Sequence, residues 1–142
     1  MRRALLPVVT LFVMAAPVVS ADLPYRVIVH PQVKGSQIPR AALHSIFLKQ
    51  APKWGDGRPV MPIDQSVQSS VRRSFSNDVL QQGVVAVQVY WQRQMAAGVA
   101  PPPVKTSDEE VVSFVASTPG AIGYVSAATP LPDSVKAIEI TD

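Results

Sequence analysis

Short β-branched runs alternate with segments of helical period along this chain, and prolines and glycines fall between them. That alternation restricts the chain to layered architectures in which helices pack on a sheet. Tyr25-Arg26-Val27-Ile28-Val29-His30 reads as a strand that Pro31 ends, and Lys34-Gly35-Ser36 as a turn. Ile38, Ala42, Leu43, Ile46 and Phe47 recur at helical spacing, with Pro39 suited to a first helical turn. They predict an amphipathic helix ending near Leu48. Lys53 to Pro59 is turn chemistry with two glycines, and Val60-Met61-Pro62-Ile63 is an extended segment whose prolines suit a sheet edge or a strand end. From Ser66 to Leu80, Val67, Val71, Phe75 and Val79 are spaced by four, which predicts one buried helix face opposite Ser70, Arg73 and Asn77.

The next segment, Val84 to Ala97, fits two templates. Val85, Val87, Val89 and Trp91 alternate like a strand, whereas Val84, Val87, Trp91 and Met95 fit a helix; Gly98, placed as a C-terminal cap, favours the helix. Ala100 to Pro103 is a stiff connector. Ser107 and Glu110 form a capping box for a helix to about Ala116, with Val111, Phe114 and Val115 facing inward. Ala121 to Val125 and Val135 to Ile140 read as strands. The fold class is therefore α/β, a small central β-sheet flanked by helices.

The N-terminus has a different character. Met1-Arg2-Arg3 is basic, Ala4 to Val18 is almost wholly apolar, and Val19-Ser20-Ala21 presents small or modest residues before Asp22. This is the pattern of a secretory signal peptide over residues 1–21, cleaved after Ala21. The apolar run is shorter than the about 20 residues a spanning helix needs, and Pro7 and Pro17 interrupt it. The expected mature domain is 22–142, a length that buries enough surface to fold without a staple. The chain has no cysteine, which excludes thiol nucleophiles and cysteine metal sites. Without Arg2 and Arg3 the balance is 11 basic to 10 acidic residues. No basic stripe interleaved with aromatics is present, so no nucleic-acid partner is expected.

Catalytic patterns are absent. His30 and His44 match no zinc spacing, no Gly-x-Ser-x-Gly elbow occurs, and Asp108-Glu109-Glu110 is explained by helix capping. No enzyme activity, cofactor or metal is expected. The segment with binding chemistry is Asp64 to Ser70, which opens a helix. Exposed amides and a partial positive charge at a helix N-terminus attract anions. Ser66, Ser69 and Ser70 could add hydroxyl donors and Arg72 a forked cation. The competing reading has one serine capping the helix and Arg72 in water, and Asp64 would repel an anion unless it turns away. Gly120 and Gly123 read first as backbone-geometry positions and secondly as residues bordering a ligand cleft. Trp54, in its glycine-rich turn, reads as a lid over the first helix or, if exposed, as a partner surface.

Three segments carry a resemblance. Leu43-His44-Ser45-Ile46-Phe47-Leu48-Lys49 with Lys53-Trp54-Gly55-Asp56-Gly57, the stretch Ser69 to Phe75, and Pro119-Gly120-Ala121-Ile122-Gly123-Tyr124-Val125 resemble, in the same order, segments of the phosphate-binding proteins of ABC transporters. The resemblance implies one lobe of a type II periplasmic binding protein, a non-catalytic role in the periplasm, and phosphate or another small oxyanion as ligand, with Ser69 and Arg72 at matching positions; Ser66 and Ser70 join them through the helix-start reading alone. Ser70 stands where the family has Gly and Val71 where it has Thr, so one hydroxyl donor is missing. The alternative that this leaves open is an interaction or scaffold module whose partner is a periplasmic or membrane protein.

Overall fold

The computed structural model describes residues 22–142, and the expected signal peptide at residues 1–21 lies outside the described residues. A five-stranded sheet forms around β1 (Tyr25–Val29). The other strands are β2 (Gln37–Pro39), β3 (Met61–Pro62), β6 (Ala121–Ser126) and β7 (Lys136–Thr141), in the order β2-β7-β1-β6-β3. β1 runs antiparallel to both neighbours, pairing Val27 with Tyr124 of β6 and with Ile138 of β7. β2 lies parallel to β7 and β3 parallel to β6. A separate two-stranded sheet joins β4 (Asp64–Gln65) to β5 (Val104–Lys105).

Side chains of a strand alternate between faces, so a strand covered on both sides is apolar at nearly every position. β1 and β6 follow this rule. Tyr25, Val27, Val29, Ile122 and Tyr124 face one core, which α1 (Arg40–Phe47), α2 (Ser70–Phe75) and α3 (Val84–Ala96) cover. Ile28, Ala121 and Val125 face a second core, built with Val111 and Val115 of α4 (Asp108–Ser117). α2 continues directly into one π-helical turn, Ser76–Leu80, which Gln81 closes in the left-handed conformation at φ 55°.

Gly123 lies between the second core's side chains. A Cβ there would stand 2.7 Å from Ile63 Cγ2 and 2.8 Å from Val111 Cγ1. The strand glycine thus answers to close side chains. Gly123→Ala is expected to cost about 1–3 kcal/mol of stability, the range for overpacking a filled core, and thermal unfolding would measure it.

Several sequence expectations are met: the strands, the helix ending near Leu48, the helical state of Val84–Ala96 and the left-handed Gly98 after it. Others are corrected. Ile38 belongs to β2, paired with Ile140, and Pro39 is the N-cap of α1 rather than its first turn. The Ser66–Leu80 helix begins only at Ser70, because Ser69 caps it, and Val67 before the cap is 41% exposed. Phe114 packs inward against the second core but stays half-buried, and α4 runs one residue further, to Ser117.

Candidate oxyanion loop at the carboxyl end of the sheet

Ligands of open α/β sheets gather beyond the carboxyl ends of parallel strands. One parallel pair here is β3 and β6, extended by the Ile63 amide, which donates to Ile122 O at 2.9 Å. The chain leaves this end through β4, turns at Ser66–Gln68 and enters α2. Ser69 Oγ accepts from the Arg72 amide at 3.3 Å and donates to Gln65 Oε1 at 2.9 Å. Ser66 Oγ accepts from the Gln68 amide at 3.3 Å. Ser70 is exposed at the first helical position. The three serines and Arg72 therefore do share one helix start, but Ser69 is a cap and Ser66 shapes the turn.

Arg72 does not point at water. It is only 3% exposed and forms an ion pair with Asp64, itself 7% exposed. Asp64 also accepts from the Tyr124 hydroxyl and, at 2.8 Å, from the Gln65 amide. A charge leaves water only if it is paired and hydrogen-bonded, and this carboxylate meets both conditions. Burial opposes the Arg72 charge, but the Asp64 carboxylate and the Tyr124 hydroxyl outweigh it and raise the guanidinium pKa above its ordinary value. Burial, then the Asp64 carboxylate, push the Tyr124 phenol well above its ordinary value against the opposing pull of Arg72, so it stays a proton donor. Arg72 Nε has no hydrogen-bond partner among the described residues.

A chain of hydrogen bonds runs on from this pair. Gln65 Nε2 donates to Tyr124 O and to Asp108 Oδ1, each at 2.8 Å. Asp108 Oδ2 accepts from Thr129 Oγ1 at 2.8 Å and from the Ser126 amide at 3.3 Å. The loop is thereby tied to the start of α4. There Ser107 Oγ accepts from the Glu110 amide at 3.2 Å, as a capping box requires, while the Glu110 carboxylate reaches the amide and hydroxyl of Thr106. Those Thr106 donors hold the Glu110 pKa below its ordinary value.

Sequence reasoning missed the parts played by Asp64, Gln65, Tyr124 and Asp108. Asp64, expected to repel an anion unless it turns away, has turned inward onto Arg72. The two candidate cleft glycines separate. Gly123 is enclosed mid-strand, whereas Gly120, at φ +81°, borders a cavity at the amino end of β6, the end opposite the Ser66–Arg72 loop. Among the described residues no three His, Asp or Glu side chains gather in a metal-sized group.

No protein-family model and no curated protein matches the sequence. Solved structures do. An ABC-type phosphate transport receptor from Vibrio cholerae is similar at TM-score 0.63 and 20% identity, over 82% of this chain and 46% of that one. A putative phosphate ABC transporter substrate-binding protein with bound phosphate from Clostridium perfringens is similar at TM-score 0.65 and 16% identity, over 82% and 44%. PstS from Borrelia burgdorferi is similar at TM-score 0.65 and 15% identity, over 84% and 47%. The chain spans a little under half the length of these proteins and carries, across most of its own length, the α/β fold of phosphate ABC transporter substrate-binding proteins.

Proposed function

We propose that this chain is an exported, non-catalytic solute-binding-protein-like module, and that its Ser66–Arg72 loop binds phosphate only weakly because the loop's cation is already neutralised from within. The observation that carries this reading is the buried Arg72–Asp64 pair. An incoming oxyanion would meet Ser66, Ser70 and the free amides at the start of α2, but it would have to displace Asp64 to reach the guanidinium. Hydrogen bonds to charged groups contribute only about 1.5–3 kcal/mol each, and salt screens exposed charges over about 8 Å at physiological ionic strength. Export rests on the signal-peptide pattern of residues 1–21. Support for phosphate as the ligand class comes from similar structures, one of which holds bound phosphate.

The expected dissociation constant for phosphate is about millimolar or weaker, which corresponds to about 4 kcal/mol. Phosphate titrated into isotope-labelled protein, with amide shifts followed by NMR, measures it. Asp64→Asn leaves Arg72 without its counter-charge, so phosphate should bind that variant more tightly and raise its melting temperature, while leaving the wild type nearly unchanged. Micromolar affinity in the wild type, or no gain in Asp64→Asn, would overturn the self-neutralised loop.

A second reading, a protein-interaction module, is favoured by α3. Val85 is 73% and Val89 41% exposed, one helical turn apart on the same face. Val85→Glu should abolish co-purification of any envelope partner without changing the melting temperature.

A further inference from the structure

At the amino end of β6, away from the Ser66–Arg72 loop, Trp54 stands between two adjoining cavities. One, of about 380 Å³, is bounded by Trp54, the Gln32–Lys34 turn, Arg58 and Gly120. The other, of about 260 Å³, shares Val33, Lys34, Trp54 and Gly55 with it and is walled by Ile38, Ala42, Ile46 and Ile138. An apolar cavity of about 150 Å³ is enough to hold benzene, so the second cavity has room for an aromatic ring.

The indole is held in place before any ligand arrives. Trp54 Nε1 donates to Gly120 O at 3.0 Å, the Trp54 amide donates to Arg58 O at 2.8 Å, and Trp54 O accepts from the Gly57 amide at 2.9 Å. Gly120 permits the close approach of the Pro59 backbone that carries this turn: a Cβ there would lie 2.4 Å from Pro59 O, against an ordinary 3.6 Å from Trp54 Nε1. A preorganised aromatic wall spares the ordering cost of binding.

The rim is cationic. Lys34, Lys53 and Arg58 are exposed around the two cavities, and Asp56 is the one acidic lining residue, 3.7 Å from Arg58. Among the described residues neither Lys34 nor Lys53 forms an ion pair. An apolar slot beside a fixed indole, under unpaired cations, matches an amphipathic anion. Ligand sites are commonly built this way, largely apolar with a few placed charges.

We infer that this groove is a second binding site, for a small carboxylate with a flat apolar body: the ring rests in the apolar cavity beside Trp54 and the carboxylate meets Lys34, Lys53 and Arg58. The site shares no lining residue with the oxyanion loop and does not depend on what that loop binds.

The test is an NMR titration of the full chain with 3-phenylpropionate, with 3-phenylpropionamide as a neutral isostere and inorganic phosphate as a control. The expected result is saturable movement of the Trp54 indole N–H and of the Val33, Lys34 and Gly55 amides, with a dissociation constant of about 1 mM or below. The amide should bind several-fold more weakly, and Lys34→Ala/Arg58→Ala should weaken the carboxylate about fivefold, as exposed charge contacts allow. Both residues are on the surface, so unchanged melting would show that the loss is local. Shifts that never saturate, equal binding of carboxylate and amide, or movement of the same signals by phosphate alone would each overturn the assignment. So would shifts confined to Ser66–Arg72.

Discussion

Asp64→Leu is expected to destabilise the folded chain by about 3–5 kcal/mol, the usual consequence of leaving a buried charge without its partner. With an apolar side chain covering it in place of Asp64, Arg72, 3% exposed in the folded chain, gains no route to solvent, and its Nε already lacks a hydrogen-bond partner among the described residues. The loss should therefore not be made good by hydration. Tyr124 loses its acceptor at the same time. The double variant Asp64→Leu/Arg72→Met should recover most of the loss, since a buried ion pair replaced by apolar groups of similar volume is often neutral. Urea unfolding of the two single variants and the double variant completes the cycle. A loss below about 1 kcal/mol for Asp64→Leu would mean that Arg72 reaches water in solution.

Phe75→Ala is expected to cost a similar amount, about 3–5 kcal/mol, as truncation of a fully buried aromatic side chain does. Phe75 is the hub of an aromatic cluster. Its ring stacks on Tyr124 with centroids 3.9 Å apart and meets Phe47 and Tyr25 edge-on at 4.8 and 5.5 Å. Because Tyr124 also holds Asp64, losing Phe75 removes one wall from the residue that fixes the ion pair. Phe75→Ala and Asp64→Leu should then be less than additive, because the Tyr124 hydroxyl is positioned only once. Denaturant melts give the stabilities, and loss of near-ultraviolet circular dichroism reports loosening of the aromatic cluster. A cost under about 1 kcal/mol would place Phe75 in a region able to refill the space.

What could be read in advance was what depends on near neighbours. The capping box at Ser107, the helix-ending Gly98 and the inward position of Phe75 all follow from contacts within a turn or two of sequence. Ile38 could not be read so. It fits a helical period with Ala42, yet it is a strand because Ile140, roughly a hundred residues later, supplies its ladder partner. Val67 continues the apolar spacing of the helix but lies before the cap, and spacing alone does not say which of Ser66, Ser69 and Ser70 the helix chooses as its cap. The Ser66–Arg72 loop shows the same divide. Its serines were visible as a helix start, while the pairing of Arg72 with Asp64 needed the fold. Only the packing of β6 against β4 sets Tyr124 beside both charges and excludes water from them.

The place of β1 in the sheet has a consequence in time. It is the first strand among the described residues, and both its neighbours, β6 and β7, are the last. A ribosome releases β1 long before either edge of it can be closed, and no local hairpin can stand in for the missing strands. Pairings so distant in sequence are slow to form, because the intervening chain must be gathered first. Until residues 121–141 emerge, Tyr25–Val29 is an apolar ribbon with both backbone edges bare, a segment that a holding chaperone would recognise and that would otherwise pair with other chains.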